Sequence, residues 1–198
     1  MHLTIISGSQ RKDANSLKVA HIIDDMVSQQ RRFVTTSLID LATHPLPLFD
    51  PAHPHQGSWE QLAGDLQKSA ALVVISPEWH GMVPSGLKNF FLYCTQKEIG
   101  HKPALIVTVS SGMGGSYPVT ELRISSYKNN RVLYLPEHVI LRQVGNFIQG
   151  YPDGESEVQR NLQGRLTYLL SLLCEYAVAL NQVRASEVFD ASLFASGM

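Results

Sequence analysis

Cysteine is nearly missing from this chain: Cys94 and Cys174 are the two in 198 residues, both in apolar helical contexts. No disulfide framework is expected, and a cytoplasmic location is the default. Charge is also sparse, at 17% of residues, and balanced, with 16 basic against 17 acidic side chains and a net charge of −1. That excludes a basic nucleic-acid surface and a polybasic membrane patch, so neither nucleic acid nor membrane is expected as a partner. The opening MHLTIISGS turns polar too soon for a signal peptide or a membrane span. The longest apolar segment, near the C-terminus, is interrupted by Glu175 and reads as a packed helix. No internal repeat or low-complexity segment breaks the chain, and 44% hydrophobic residues suffice for one core, so residues 1–198 are read as a single domain.

What is present is a regular alternation of strand and helix signals. Leu3 to Ile6, Ala70 to Ile75 and Ala104 to Val109 are continuous apolar runs, the pattern of strands buried on both faces. Arg32 to Leu38 is less apolar and belongs nearer a sheet edge, and His138 to Leu141 is a last strand. Between them fall helices from Asn15 or Ser16 to about Val27 (Leu17, Ala20, Ile23 and Val27 inward) and from Ser58 to Gln67 (Trp59, Leu62 and Leu66 inward). Further helices run from about Gly86 to Lys97, with Ser85 as its cap, and from about Val119 to Tyr127. The final helix, about Ser156 to Asn181, places Val158, Leu162, Leu166, Leu169, Leu173, Tyr176 and Leu180 at helical spacing, after the turn residues YPDGE at 151–155. This alternation predicts an α/β doubly wound parallel sheet of five strands in the order 2-1-3-4-5, with helices on both faces. In that order the first, third and fourth strands are neighbours, and each ends in an unusual loop.

The first loop, Gly8 to Ser16, offers helix N–H groups, the hydroxyls of Ser9 and Ser16, the Asn15 amide and the Arg11 guanidinium. Those groups suit a phosphate, although a capped helix start explains part of the pattern. Neither GxxxxGK[ST] nor GxGxxG is there, so a monophosphate fits better than a nucleoside triphosphate or a dinucleotide. The second loop, PEWHGMVPSGLKN, sets Glu78, Trp79 and His80 between Pro77 and Gly81, and the third, SSGMGGS, has glycines at 112, 114 and 115 that let backbone approach a flat ligand. The 40–57 connection carries His44, His53 and His55 among four prolines, at a spacing that matches no standard ligand pattern, so no metal site is expected.

Together these stretches resemble the NAD(P)H-dependent FMN reductase family of flavodoxin-like flavoproteins, which includes quinone, azo-dye and chromate reductases. GSQRKDANSLKVA is similar to the family's GSxR…S phosphate loop, LPLFD to its LPLYD-like segment, PEWHGMVPSGLKN to its PEYNGSIPGxLKN loop, and SSGMGGS to its glycine-rich loop. The resemblance implies bound FMN with NAD(P)H as co-substrate. Ser9, Arg11, Asn15 and Ser16 would hold the phosphate. Pro77, Glu78, Trp79, His80 and Gly81 would line the isoalloxazine, largely through backbone N–H groups, and Ser111, Gly112, Gly114 and Gly115 would close its other edge. Trp79 stands where the family has tyrosine, and His80 where it has asparagine. His80 therefore puts a titratable group beside the flavin, a candidate for tuning it.

The implied activity is an oxidoreductase that reduces flavin, quinone or a similar small acceptor by two hydride half-reactions at one site. No residue is expected to be catalytic in its own right, because the flavin carries the chemistry. A flavodoxin-type electron carrier or a non-catalytic FMN-binding protein is the alternative, although such carriers are strongly acidic and this chain is near neutral. The family also implies a homodimer or homotetramer. Trp79, Met82, Phe90, Phe91 and Tyr93 crowd the second loop and its helix with more aromatic surface than one helix face hides.

Overall fold

The computed structural model describes residues 1–54, 57–150 and 157–194. His55, the YPDGE turn and Ser156 lie outside the described residues. The strands β1 (His2–Ser7), β2 (Thr35–Asp40), β3 (Ala71–Pro77), β4 (Pro103–Val109) and β5 (Leu133–Leu141) form one parallel sheet in the order β2-β1-β3-β4-β5, as the alternation predicts. Every residue of β3 and β4 is buried, and side chains go alternately to the two faces. Leu3, Ile5, Val73, Ile75, Leu105 and Val107 share one core with α1 (Asn15–Gln30), α6 (Val144–Gln149) and α7 (Glu157–Arg184). Ile6, Leu72, Val74, Ala104 and Ile106 share the other with α2 (Trp59–Lys68), α3 (Ser85–Tyr93), α4 (Gln96–Ile99) and α5 (Tyr117–Ser125). Burial of each such Leu, Ile or Val against water contributes about 1.5–3 kcal/mol, which explains why the strand runs are continuous rather than alternating.

Several element boundaries differ from the sequence reading, each for a local reason. The helix after the second loop stops at Tyr93, because Thr95 starts α4 with a capping box: its hydroxyl accepts the Lys97 N–H while Glu98 accepts the Thr95 N–H. Its N-cap is Pro84 rather than Ser85, with no side-chain cap of its own. β2 begins at Thr35, not Arg32, and β5 is longer than its last four residues. In β5, residues 135–137 stand opposite the single residue 105 of β4, a bulge around Pro136 that hides the strand period. In α1, Val19 is buried and Leu17 only half-buried. In α7 the inner stripe is Leu166, Leu169, Leu170, Leu173, Cys174 and Ala177, while Val158 and Tyr176 are exposed. α7 is long and apolar enough to cross a membrane, yet that stripe is packed on the sheet, as in a core helix.

The α3 aromatics are also placed differently. Phe90, Phe91 and Tyr93 are buried within the chain, where Trp59 lies 6.1 Å from Phe90 and 5.3 Å from Tyr93, and Phe49 meets Tyr93 edge-on at 5.2 Å. They are core residues and supply no surface for a second subunit. Below the sheet, at the end away from the loops, buried Lys102 donates to the carbonyls of Leu66 and Gln67 at 2.6 and 3.0 Å and so caps the end of α2. Burial, aided by the nearby Arg184 charge, lowers its pKa to about 7, against a smaller opposing pull from Glu98.

Candidate active site

The three loops leave the carboxyl ends of β1, β3 and β4, which are adjacent in the sheet, and the chain ties them together with backbone and side-chain contacts. Gly8 N–H donates to Ile75 O at 2.8 Å, joining the first loop to β3. α1 then starts with Ala14 at its N-cap and no side-chain cap. Among the described residues the N–H groups of Asn15 and Ser16 take no acceptor, so a positive helix end faces outward at the first loop. Ser9 is buried and its hydroxyl accepts the Arg11 N–H at 3.2 Å. The Arg11 side chain is exposed, and the Ser16 hydroxyl turns inward, 3.3 Å from that of Ser7.

The second loop is a tight hairpin. Trp79 and Met82 exchange both backbone bonds, at 3.0 and 2.9 Å, and the two residues between them have positive φ, +51° at His80 and +76° at Gly81. Positive φ at both central positions is the mark of a type I′ turn, which selects Gly, Asn or Asp; histidine is among the other residues enriched at positive φ. That accounts for His80 in a position where the family pattern has asparagine: both tolerate the left-handed backbone. The His80 side chain is exposed and Trp79 is half-buried. Among the described residues the His80 and Gly81 N–H groups take no acceptor.

The third loop is held from two sides. Glu78 Oε2 accepts the Gly115 N–H at 2.7 Å, and Thr108 donates to the Gly115 carbonyl at 2.6 Å. Arg142, just after β5, donates to Met113 O at 2.7 Å and to the Ser116 hydroxyl at 3.1 Å, while Gln143 N–H donates to Gly112 O at 2.8 Å. Ser111 and Gly112 are exposed, Gly114 is half-buried and Gly115 is buried.

Unpartnered backbone donors on adjacent loops at the carboxyl edge of a parallel sheet lie where such folds bind ligands. The family model described as NADPH-dependent FMN reductase matches residues 1–146. This chain belongs to that family. Among its curated relatives, the NADPH azoreductase of Bacillus sp. (strain OY1-2) is 26% identical over 143 residues, 71% of this chain and 76% of the relative. A quinone reductase of Pseudomonas putida is 24% identical over 119 residues, 58% of this chain and 63% of its own length, so the match spans less than two thirds of that enzyme. Among solved structures, an oxidoreductase from Corynebacterium diphtheriae superimposes with a TM-score of 0.72 at 17% identity, covering 90% of this chain and 97% of that one. The flavoenzyme NAD(P)H:(acceptor) oxidoreductase FerB from Paracoccus denitrificans gives 0.68 at 19% identity over the same shares. At these identities the superpositions show the flavodoxin-like fold. Membership of the family makes the protein an NAD(P)H-dependent oxidoreductase that works with FMN.

The reductase brings all the residues anticipated from its motifs to one edge, and it uses several others that no motif announces. Gln10 Oε1 accepts the Gly86 N–H at 3.0 Å and the Ser85 hydroxyl at 3.3 Å, so the amide of the first loop caps α3 in place of Ser85. Asn89, in the LKN part of the second motif, works away from the loops. It donates to Pro47 O at 2.7 Å and accepts the Phe49 N–H at 2.8 Å, pinning the LPLFD segment, with Tyr93 OH adding a bond to Pro47 O at 3.1 Å. Two motifs separated by some forty residues are thus one structural unit. Arg142 is another such residue, as is Glu121, whose carboxylate accepts the Val83 N–H at 2.7 Å. Burial raises the thiol pKa of Cys94 far above its ordinary range, so this cysteine is inert in the site's chemistry.

Proposed function

We propose that this reductase holds FMN across the three loops and passes reducing equivalents from NAD(P)H to a small aromatic acceptor such as a quinone, an azo compound or a free flavin. The observation that carries the reading is the set of backbone donors left without acceptors at one sheet edge: Asn15 and Ser16 at the start of α1, and His80 and Gly81 at the hairpin tip. These residues fit the cofactor. An uncapped helix end with Arg11, Ser9 and Asn15 beside it suits a phosphate, with Ser16 bracing the turn from behind. Pro77, Glu78, Trp79, His80 and Gly81 would line one side of the ring system, and Ser111, Gly112, Gly114 and Gly115 the other. A Cβ built at Gly81 or Gly112 would meet nothing within 4 Å, so both face open space.

FMN, when bound, supplies the hydride and electron transfer, and the chain's part is to seat and orient it. The fixed N–H groups of the hairpin favour negative charge on the ring that they face, as preorganised dipoles do. The donor and the acceptor would use one face in turn, with the half-buried Trp79 as its aromatic wall. A homodimer or homotetramer is part of the same reading. Its support is not the buried α3 aromatics but the exposed Met82, Leu92, Tyr117 and Ile124, at 55–72% exposure along α3, α5 and the hairpin.

Stopped-flow mixing of the FMN-loaded protein with NADPH tests the function. Rapid bleaching of the flavin band, reversed by added quinone, is the expected result. Flavin that photoreduces but ignores both nicotinamides would make this an electron carrier instead. Light scattering at micromolar concentration tests the assembly, and a strictly monomeric species would remove it.

A further inference from the structure

Two carboxylate bonds tie the residues on either side of the His80–Gly81 turn to other segments. On the near side, Glu78 accepts the Gly115 N–H at 2.7 Å. On the far side, Glu121, from the middle of α5, accepts the Val83 N–H through Oε2 at 2.7 Å, while its Oε1 lies 3.3 Å from Lys88 Nζ. Lys88 in turn donates to Ser125 on α5. Glu121 is 38 residues from the bond that it makes and belongs to none of the family's motifs.

The relative strengths of these contacts decide what the arrangement is for. Lys88 and Glu121 are each about one-third exposed, and ion pairs of that kind contribute little to stability. The charge-assisted bond from a carboxylate to the N–H of buried Val83 is shorter, stronger and directional. Its effect falls on the residue that ends the hairpin, one position beyond Met82, and so on the pitch of the peptide groups at 80 and 81. We propose that Glu121, with Lys88 as its counter-charge, is a positioning residue. It fixes the exit of the hairpin so that the unpartnered His80 and Gly81 N–H groups stay preorganised for the flavin ring. The inference rests on the reading of this edge as the FMN seat, and it assigns the control of flavin binding to a helix outside the three loops.

The test compares Glu121→Ala, Glu121→Gln and Lys88→Met with the unaltered protein. Three readouts are needed: amide hydrogen exchange at Val83, His80 and Gly81 without flavin; the affinity for oxidised FMN together with the flavin midpoint potential; and kcat and KM with NADPH. In Glu121→Ala, exchange at Val83 should rise at least tenfold and FMN affinity should fall about tenfold. The ratio of affinities for reduced and oxidised flavin should fall threefold to tenfold, about 15–30 mV for a two-electron couple, with kcat lowered and KM nearly unchanged. Glu121→Gln keeps an acceptor for Val83 and should recover most of each loss, with Lys88→Met close to it. If Glu121→Ala does not fold, Glu121→Met, which fills the same space but gives the Val83 N–H no acceptor, carries the comparison, and its equality with the unaltered protein in exchange and potential overturns the proposal. So does a folded Glu121→Ala that melts earlier but keeps its potential and kcat, since Glu121 is then only a tie between α5 and α3. Failure of the unaltered protein to bind FMN overturns the underlying reading as well, and that outcome is visible before any variant is made.

Discussion

Alanine substitutions along the third loop should give opposite results within four residues. At Gly115 the backbone has φ of +104°, and a Cβ built there would sit 2.6 Å from Ile140 Cγ2 and 3.3 Å from Thr108 Oγ1. A non-glycine residue in so sparse a backbone region costs about 1–3 kcal/mol. Forcing a methyl group against a packed isoleucine costs about 1–3 kcal/mol more. Relief by a backbone shift would break the bonds that Gly115 makes to Glu78 and Thr108, so Gly115→Ala is expected to cost about 2–6 kcal/mol in all. For a chain of this size that lowers Tm by about 4–24 °C. Gly112 has ordinary backbone geometry and open space around its Cβ position, so Gly112→Ala should leave Tm unchanged or slightly raised. Gly114 is the intermediate case. Its Cβ would meet Glu78 Oε1 at 2.3 Å, but that is the tip of a flexible side chain, which can swing away at the expense of its bond to Gly115. Gly114→Ala should therefore melt within about 1.5 kcal/mol of the unaltered protein yet bind FMN less tightly. Scanning calorimetry and fluorescence titration with FMN read both effects. Equal destabilisation at 112 and 115, or a tolerated Gly115→Ala, would refute the reasoning, because the loop would then be free to rearrange.

Arg11→Ala should weaken FMN binding by about 1.5–3 kcal/mol, roughly tenfold to over a hundredfold, while riboflavin, which lacks the phosphate, should bind both proteins alike; unchanged FMN affinity in a titration would take Arg11 out of the phosphate site. Lys102 gives a pH dependence whose sign follows from its lowered pKa of about 7. Below that value the buried ammonium is carried in both states and its burial cost is full, whereas above it the unfolded chain binds more protons. Stability to urea should then rise with pH between 7 and 9, by up to about 1.4 kcal/mol per unit from this group, and Lys102→Met should flatten the rise. His80→Asn preserves the left-handed turn and removes the imidazole. An imidazole that tunes the flavin should make the midpoint potentials of the two proteins differ; identical potentials would show that His80 serves the turn alone.

What could be read from the residues in order was the part of the structure encoded locally. Fully buried strands announce themselves as apolar runs, so β1, β3 and β4 were legible, and with them the sheet order and the edge that carries the loops. β5 was only half legible, since its bulge around Pro136 breaks the period on which such readings depend. The motif residues at the loops could be identified because glycine, proline and serine mark shaped backbone wherever they cluster. The residues that hold those loops in place could not. Gln10 reaches 76 positions along the chain, Glu121 38 and Arg142 29, and nothing adjacent to a Gln, Glu or Arg in sequence reveals what it will meet across such distances. The misjudged aromatics of α3 follow the same logic: Phe90 and Tyr93 look surplus until Trp59 and Phe49 arrive from another segment to enclose them.

α7 bears on how this protein could be rebuilt. Its 28 residues lie wholly beyond the stretch matched by the family model, yet Leu166, Leu169, Leu170 and Leu173 are fully buried against the sheet that carries the loops. A chimera spliced at residue 146 would keep every cofactor-facing loop of one parent and receive the floor under them from the other. Its mismatches would be paid in core volume, far from any residue a designer would think to inspect. The module that can be exchanged between relatives is thus longer than the segment they visibly share.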